Sequence, residues 1–322
     1  MILIVTNKTD YTADFLILGL KQREIDFVRF NTEDFPQNID LVLDIDGEGI
    51  GGQLKIFDRD INLDQIQSVW FRRPFPSEPA PQIKDIAERE FVIAESRETL
   101  DGLWRILSCF WVSHPDKLRL AESKLYQLKL ASCLGFNIPQ TLVTNSSDAA
   151  NSFYKNCSGQ VIYKPQRRGQ IVRNESTGLI YTNVVDESYA NYLSNVQFAP
   201  SLFQPYVPKM IELRVTVVGE KVFAVELHSQ DIEEARHDWR RVDASQIRHL
   251  PHRLPIDVEE KCVKLVQNLG LAFGAIDLIL TPEDSYVFLE INPNGQWAWI
   301  EQLCPELQIC DALIDLLVSQ GT

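Results

Sequence analysis

The chain has 322 residues, 45% of them hydrophobic and 24% charged, with a formal charge of −14. That balance describes a soluble globular protein of two or three domains. It excludes unspecific binding to nucleic acid or to an acidic membrane, because both require a cationic surface. A nucleotide stays possible, since a few placed cations and a metal can hold phosphate locally.

The opening MILIVTNKTD lacks a basic segment followed by an apolar run and a small-residue cleavage site, so it reads as a buried strand. No apolar run approaches the ~20 residues that cross a bilayer. The cysteines Cys109, Cys133, Cys157, Cys262, Cys304 and Cys310 form no C-x-x-C pair. Reduced thiols of a cytoplasmic protein are the expectation.

Strand and helix signals alternate from the start. Ile2–Thr6 is an apolar run, Ala13–Lys21 has helical spacing, and Asp26–Phe30 is a second strand. Leu41–Ile45 and Gln53–Phe57 are further strands, separated by a glycine cluster that lacks the Lys-Ser/Thr pair of a phosphate loop and reads as a turn. Ser68–Arg73 is extended, and a long helix is expected over Ile83–Leu107. These elements make an α/β domain over residues 1–113.

A central segment over 114–200 opens with His114–Arg119, read as a linker punctuated by Pro115. The helix Glu122–Leu134 stops at Gly135, a fitting C-cap. Ser147–Lys155 is a helix, Gln160–Lys164 a strand, and Pro165–Gly178 a basic, glycine-containing loop. Strands Leu179–Val184 and Ser201–Tyr206 bracket a short helix. The last segment, 201–322, carries a hairpin of Glu212–Val218 and Lys221–Leu227 turning at Gly219-Glu220, then a helix over Ile256–Leu269. His249 and His252 are separated by Pro251, which places them in a solvated loop.

Residues 274–294 read GAIDLILTPEDSYVFLEINPN, two strands joined by a loop over Pro282–Ser285. That loop sets Asp277 across from Glu290, with Asn292 on the same face. The other face would carry Ile276, Leu278, Leu280, Val287, Leu289 and Ile291. Two facing carboxylates repel, and a hard cation such as magnesium (Mg2+) resolves the conflict. The competing reading is a half-exposed hairpin with ordinary surface acids.

A nucleotide there also needs fixed cations. Lys164 ends a strand, and Lys124 lies near a helix start, where the backbone dipole favours anions. Arg214 shares a strand face with Glu212 and Thr216 and can grip a phosphate bidentately, or else pair with Glu226 across the hairpin. Gln204-Pro205-Tyr206-Val207 could offer backbone groups to an adenine edge.

Taken in order, these lysines, the glycine loop, Q-P-Y-V, E-L-R-V-T-V-V-G, G-A-I-D and F-L-E-I-N-P-N-G resemble the ATP-grasp superfamily over about the last two hundred residues. R-F-N-T-E-D-F-P, V-W-F-R-R, F-Q and H-D-W-R extend the likeness nearly end to end, towards the microviridin-type (graspetide) peptide macrocyclases. The resemblance implies an ATP-grasp fold behind an N-terminal α/β pre-grasp domain. It also implies an ATP- and magnesium-dependent ligase that phosphorylates Glu or Asp side chains of a ribosomal precursor peptide. Attack by Thr, Ser or Lys side chains then closes ω-ester or ω-amide rings.

Carried over, Lys124 and Lys164 would hold phosphates, Gln204, Tyr206 and Val207 adenine, and Glu212 the ribose side. Arg214 would approach the transferring phosphoryl group and Arg240 the acyl phosphate, unless Arg240 merely packs on Trp239. Asp277, Glu290 and Asn292 would ligate magnesium. No nucleophilic serine or cysteine is expected. The family's acidic leader-docking positions fall nearest Ser188 and Tyr189 here, with Asp186 and Glu187 just before them. A homodimer is implied by the resemblance alone. A ligase that joins an amino acid or small amine to a protein tail or metabolite is the alternative enzyme, and an inactive peptide-binding module the non-enzymatic one.

Overall fold

The computed structural model describes residues 1–47, 49–167, 169–173 and 176–320. The N-terminal part forms two sheets. Strand β1 (Ile2–Thr6) leads through helix α1 (Tyr11–Gln22) to the parallel strand β2 (Phe27–Asn31). Asp10 caps α1 by accepting from the Thr12 amide at 3.1 Å, satisfying a donor that the first turn leaves free. Strands β3 (Ile39–Ile45), β4 (Ile50–Ile56) and β5 (Arg59–Asn62) make an antiparallel sheet. Then β6 (Ser68–Phe71) pairs with β1, helix α2 (Ile86–Ile106) crosses over, and β7 (Phe110–Val112) completes the order β2-β1-β6-β7.

Residues 114–121, expected as a linker, are helical: α3 spans Pro115–Ala121. Proline is tolerated at the first helical position because its missing N–H would have no partner there. The preceding His114 caps the helix, its Nδ1 accepting from the Asp116 amide at 3.2 Å. Helix α4 (Lys124–Cys133) follows and ends at Gly135, whose φ of +77° suits a glycine C-cap.

The central sheet has the order β12-β9-β13-β8, built from β8 (Leu142–Thr144), β9 (Val161–Lys164), β12 (Asn183–Val184) and β13 (Ser201–Pro205), with helix α5 (Ser147–Asn156) against it. Between β9 and β12 lie two short antiparallel strands, β10 (Gln170–Arg173) and β11 (Ser176–Leu179), where a loop over Pro165–Gly178 was expected. Arg168 of that basic stretch lies outside the described residues. The strand expected over Leu179–Val184 is split accordingly, β11 pairing with β10 and β12 with β9. Helix α6 (Glu187–Ala190) leads towards β13.

The C-terminal sheet forms one wall of the candidate site. Its order is β16-β15-β14-β17-β18, from β14 (Ile211–Val218), β15 (Lys221–Leu227), β16 (His249–His252), β17 (Phe273–Leu280) and β18 (Tyr286–Asn292). Gly219, at φ +59°, turns β14 into β15. His249 and His252 are in a strand and not a solvated loop. His252 is drawn inward because Glu226 accepts from its Nδ1 side at 2.8 Å while its Nε2 meets the Tyr286 hydroxyl at 3.0 Å. Helix α7 (Ile256–Asn268) covers one face of this sheet, with Val258, Cys262, Leu265 and Val266 buried.

Two further helices, α8 (Ala298–Leu303) and α9 (Ile309–Ser319), follow the last strand. Leu16 and Leu20 of α1 and Leu313 and Leu317 of α9 share one fully buried cluster, which joins the two ends of the chain. Each such leucine contributes about 1.5–3 kcal/mol by leaving water. Among the described residues no helix is long and apolar enough to cross a membrane. All six cysteines are free thiols.

Candidate active site

The central and C-terminal sheets enclose a cavity of about 430 Å³. Lys124, Lys164, Gln204, Tyr206, Val207, Glu212, Arg240, Asp277, Glu290 and Asn292 all line it. These residues come from five strands, one helix start and two irregular segments, so the fold brings together what the sequence disperses.

The acidic side of the cavity is the β17–β18 ladder. Asp277 pairs with Glu290 and Ala275 with Asn292, which puts both carboxylates and the amide on the cavity face. The ladder is interrupted by a bulge at Leu289. Up to that point Leu280 faces Tyr286 and Leu278 faces Phe288; beyond it Ile276 faces Ile291. Phe288 therefore belongs to the core with Ile276, Leu278, Leu280 and Ile291, whereas Leu289 lines the cavity. Val287 pairs with Ile279, another cavity residue. The expected apolar face is corrected at those two positions, because one extra residue reverses the alternation.

Arg214 does not pair with Glu226. It lies across from Asp277 in the β14–β17 ladder, and its Nη1 donates to the Asp277 Oδ1 at 2.7 Å. Glu226 instead serves His228 and His252, at 2.9 and 2.8 Å. Lys124, at the first position of α4, donates to Glu290. Each carboxylate of the ladder thus has a cation beside it.

The opposite wall is strongly basic. Lys164 has no ion pair among the described residues, and burial together with Lys124, Lys209 and Arg240 pushes its ammonium down to about 7. Burial, then Arg240, pushes Lys124 down to about 8. Cations forced together out of water gain most from a bound polyanion. Arg240 is forked onto Asp238, Nε to Oδ1 at 2.8 Å and Nη2 to Oδ2 at 2.6 Å, which holds the guanidinium firmly charged. Trp239 packs on Trp299, with ring centroids 5.3 Å apart, so packing against Trp239 is not what fixes Arg240.

Glu212 is buried, which pushes its pKa above the usual carboxylate value, while Lys209 at 2.9 Å and the Ser229 hydroxyl at 2.7 Å oppose that rise. Gln204 is 1% exposed, donates to the Thr141 hydroxyl at 2.9 Å and leaves its Oε1 without a partner. That orphan acceptor in the cavity wall suits an exocyclic amine such as that of adenine. The donor set of Asp277, Glu290 and Asn292 is all oxygen, with no thiol or imidazole, and suits a hard divalent ion.

Several residues of the site escaped the sequence reading. Lys209, Asp238 and Gln127 line the cavity, as does Arg73. Asp238 stood in the H-D-W-R phrase, and Lys209 sits three residues before Glu212, so both had a local signal; Gln127 had none. Arg72, 1% exposed, ion-pairs with Asp10 at 3.6 Å and donates to the Asn294 carbonyl, while the Asn294 amide donates back to the Arg72 carbonyl. Those contacts stitch the end of β6 to the turn after Asn292. Asp186 and Glu187 do not line the cavity. Asp186 caps α6, accepting from the amides of Ser188 at 2.9 Å and Tyr189 at 3.0 Å.

A family model described as the MvdD pre-ATP grasp domain matches residues 1–119. A RiPP-associated ATP-grasp ligase of Chryseobacterium gregarium, solved with ADP and a leader and core peptide, matches at TM-score 0.92 and 31% identity. That match covers 99% of this chain and 96% of the other. The macrocyclase MdnC of Microcystis aeruginosa, solved with its precursor peptide MdnA, is 30% identical at TM-score 0.86, over 99% of both chains. MdnB of the same organism is 32% identical at TM-score 0.78, over 98% of both. The alpha-aminoadipate–LysW ligase LysX of Sulfurisphaera tokodaii is 24% identical over 196 residues, a stretch spanning 58% of this chain and 64% of that protein. End-to-end likeness at this identity settles the affiliation: the chain belongs to the graspetide-type, RiPP-associated ATP-grasp ligases.

Proposed function

We propose that this protein uses ATP to activate Glu or Asp side chains of a ribosomally made precursor peptide and closes ω-ester or ω-amide macrocycles on them. The observation that carries the reading is the one cavity in which Lys124, Lys164 and Arg240 face Asp277, Glu290 and Asn292. Phosphoryl transfer needs positioning and charge neutralisation more than a covalent protein group, and this cavity supplies both.

The roles proposed for the residues are those the family resemblance implies. Gln204, Tyr206 and Val207 would hold the adenine and Glu212 the ribose side. Lys124 and Lys164 would hold phosphates, and Arg214 the phosphoryl group in transfer. Asp277, Glu290 and Asn292 would hold magnesium, whose chemistry here is to neutralise phosphate charge. Arg240, braced by Asp238, would steady the activated carboxyl until a Thr, Ser or Lys side chain attacks it.

The division into residues 1–113, 114–200 and 201–322 belongs to the same proposal, with the leader received in the middle segment near Asp186 and Glu187, and with a homodimer in the cytoplasm as the working form. The peptide reading is preferred to ligation of a free amino acid because the peptide-bound relatives match end to end, whereas LysX matches over 58% of the chain. Mass spectrometry of a cognate precursor incubated with enzyme, ATP and magnesium tests it. Loss of one water per ring is expected; an unchanged precursor mass with turnover of a free amine would overturn it.

A further inference from the structure

Strand β18 is the edge of its sheet, so every second residue points a backbone N–H and C=O away from β17. Those groups are not left to water. Asn137, in the turn after α4, accepts from the Phe288 amide at 2.8 Å. Three residues on, the side chain of Gln127 takes over. Its Oε1 accepts from the Ile291 amide at 3.1 Å and its Nε2 donates to the Ile291 carbonyl at 2.9 Å. The same Nε2 donates to the Ala121 carbonyl at 2.6 Å, so one amide ties the end of α3 to the edge strand. Gln127 is 3% exposed.

The residue it grips stands between Glu290 and Asn292. An amide side chain that offers an acceptor and a donor in fixed geometry mimics one residue of a neighbouring strand. It therefore fixes the backbone on which both oxygen ligands are mounted, just past the Leu289 bulge where the ladder alone is weakest. Gln127 also lies one helical turn from Lys124, which contacts Glu290, so the same helix sets the ligand backbone and the phosphate-side cation together.

We infer that Gln127 is a positioning residue for the metal site: its clamp on Ile291 holds Glu290 and Asn292 in the geometry that binds a divalent ion. The inference rests on the magnesium assignment proposed above. Losing partners that orient metal ligands lowers metal affinity by about 10–100-fold.

Manganese(II), titrated into wild type and Gln127→Met with ADP present and followed by electron paramagnetic resonance, reads the site without turnover. The variant keeps the side-chain volume and loses all three hydrogen bonds. About 10–100-fold weaker manganese binding is expected, with metal-free ADP affinity, read by calorimetry, within about twofold of wild type. Unchanged manganese affinity in the folded variant, even with a lowered Tm, would overturn the inference. Should Gln127→Met not fold, Gln127→Asn, which keeps the amide one methylene short, is measured the same way, and wild-type affinity there overturns it equally. Failure of the wild-type protein to bind manganese with ADP would overturn both the clamp and the metal assignment.

Discussion

Arg214 and Asp277 face one another across the β14–β17 ladder, the arginine Nη1 donating to the aspartate Oδ1 at 2.7 Å. Register alone fixes this contact, since the two residues are direct partners on adjacent strands. The carboxylate is thereby aimed into the cavity and partly neutralised. A divalent ion on Asp277 would release the guanidinium towards phosphoryl oxygens, which it can grip in a fork. Under the proposed function the pair would give one arginine two successive partners.

Replacing Asp277 with Asn should abolish ring closure while precursor binding persists. Glu290→Gln should do the same, because each removes a carboxylate from the oxygen set. In Asp277→Asn the 7%-exposed Arg214 also loses its counter-ion. A buried group left under-satisfied costs about 1–3 kcal/mol, readable as a lowered urea midpoint. Product masses and fluorescence anisotropy of a labelled precursor separate the two effects. Full ring closure by either variant would remove the metal from these residues.

If Lys164 holds phosphate as proposed, nucleotide binding should depend on pH. Its ammonium stands at about 7 because of burial and neighbouring cations, and a bound polyphosphate would raise it. The sign is fixed: the bound state holds the proton more tightly than the free state. The contribution to ADP affinity is therefore complete below pH 7 and is lost as pH rises towards the higher value of the complex. Affinity should be flat in acid and fall by up to about tenfold per pH unit above neutrality. Calorimetry in buffers of different ionisation enthalpy should show proton uptake near pH 8, and Lys164→Met should reduce it.

Asp238 should matter almost as much as the arginine it braces. Arg240 meets it through two parallel hydrogen bonds, and Asp238 also accepts from the Thr182 amide at 3.2 Å. Burial pushes the Asp238 pKa up, but the Arg240 fork outweighs it and holds the group below the usual carboxylate range. Asp238→Asn keeps the shape and removes the charge. Turnover should fall by about 10–100-fold with a smaller change in ADP affinity, as for a group that acts mainly on the transition state. Equal losses in both would assign Asp238 to nucleotide binding.

The β17–β18 ladder shows why some of this was legible in the sequence and some was not. Asp277 opposite Glu290 follows from a loop over Pro282–Ser285 with an unbroken ladder. The real ladder starts with Leu280 facing Tyr286, which by itself would set Asp277 against Leu289. The bulge at Leu289 restores the pairing, so the expectation is right through two shifts that cancel. Nothing in a leucine announces a bulge, and Val287 and Leu289 fall on the face opposite to the expected one for that reason.

Elsewhere the difficulty was non-local. Pro115 reads as a breaker until His114 is seen to cap α3, and His252 reads as solvated until Glu226 and Tyr286 close around it. Strand periodicity found Arg214, Glu212 and Thr216 on one face. The partner of Arg214 depended on which strand lies on each side of β14, and that is a property of sheet order, not of spacing. Gln127 could not be found at all, because its role is defined by the edge strand it covers.

Gly295 and Gly102 differ in what surrounds them. A methyl group on Gly295 would lie 2.3 Å from the Ala275 Cβ and 3.3 Å from the Arg214 Nη2, inside the turn that follows Asn292. Neither neighbour has room to move, since Ala275 is fully buried in β17 and Arg214 is held by Asp277. Gly295→Ala should therefore cost about 1–3 kcal/mol and weaken manganese binding together with stability, because overpacking displaces the turn that carries Asn292. Gly102, within α2, has nothing near the added methyl. Gly102→Ala should raise stability by about 1 kcal/mol through helix propensity alone and leave metal binding untouched. Urea titrations of the two variants, paired with manganese titrations, check both halves. Neutral behaviour of Gly295→Ala would show that the turn after β18 can shift without disturbing the ligands it supports.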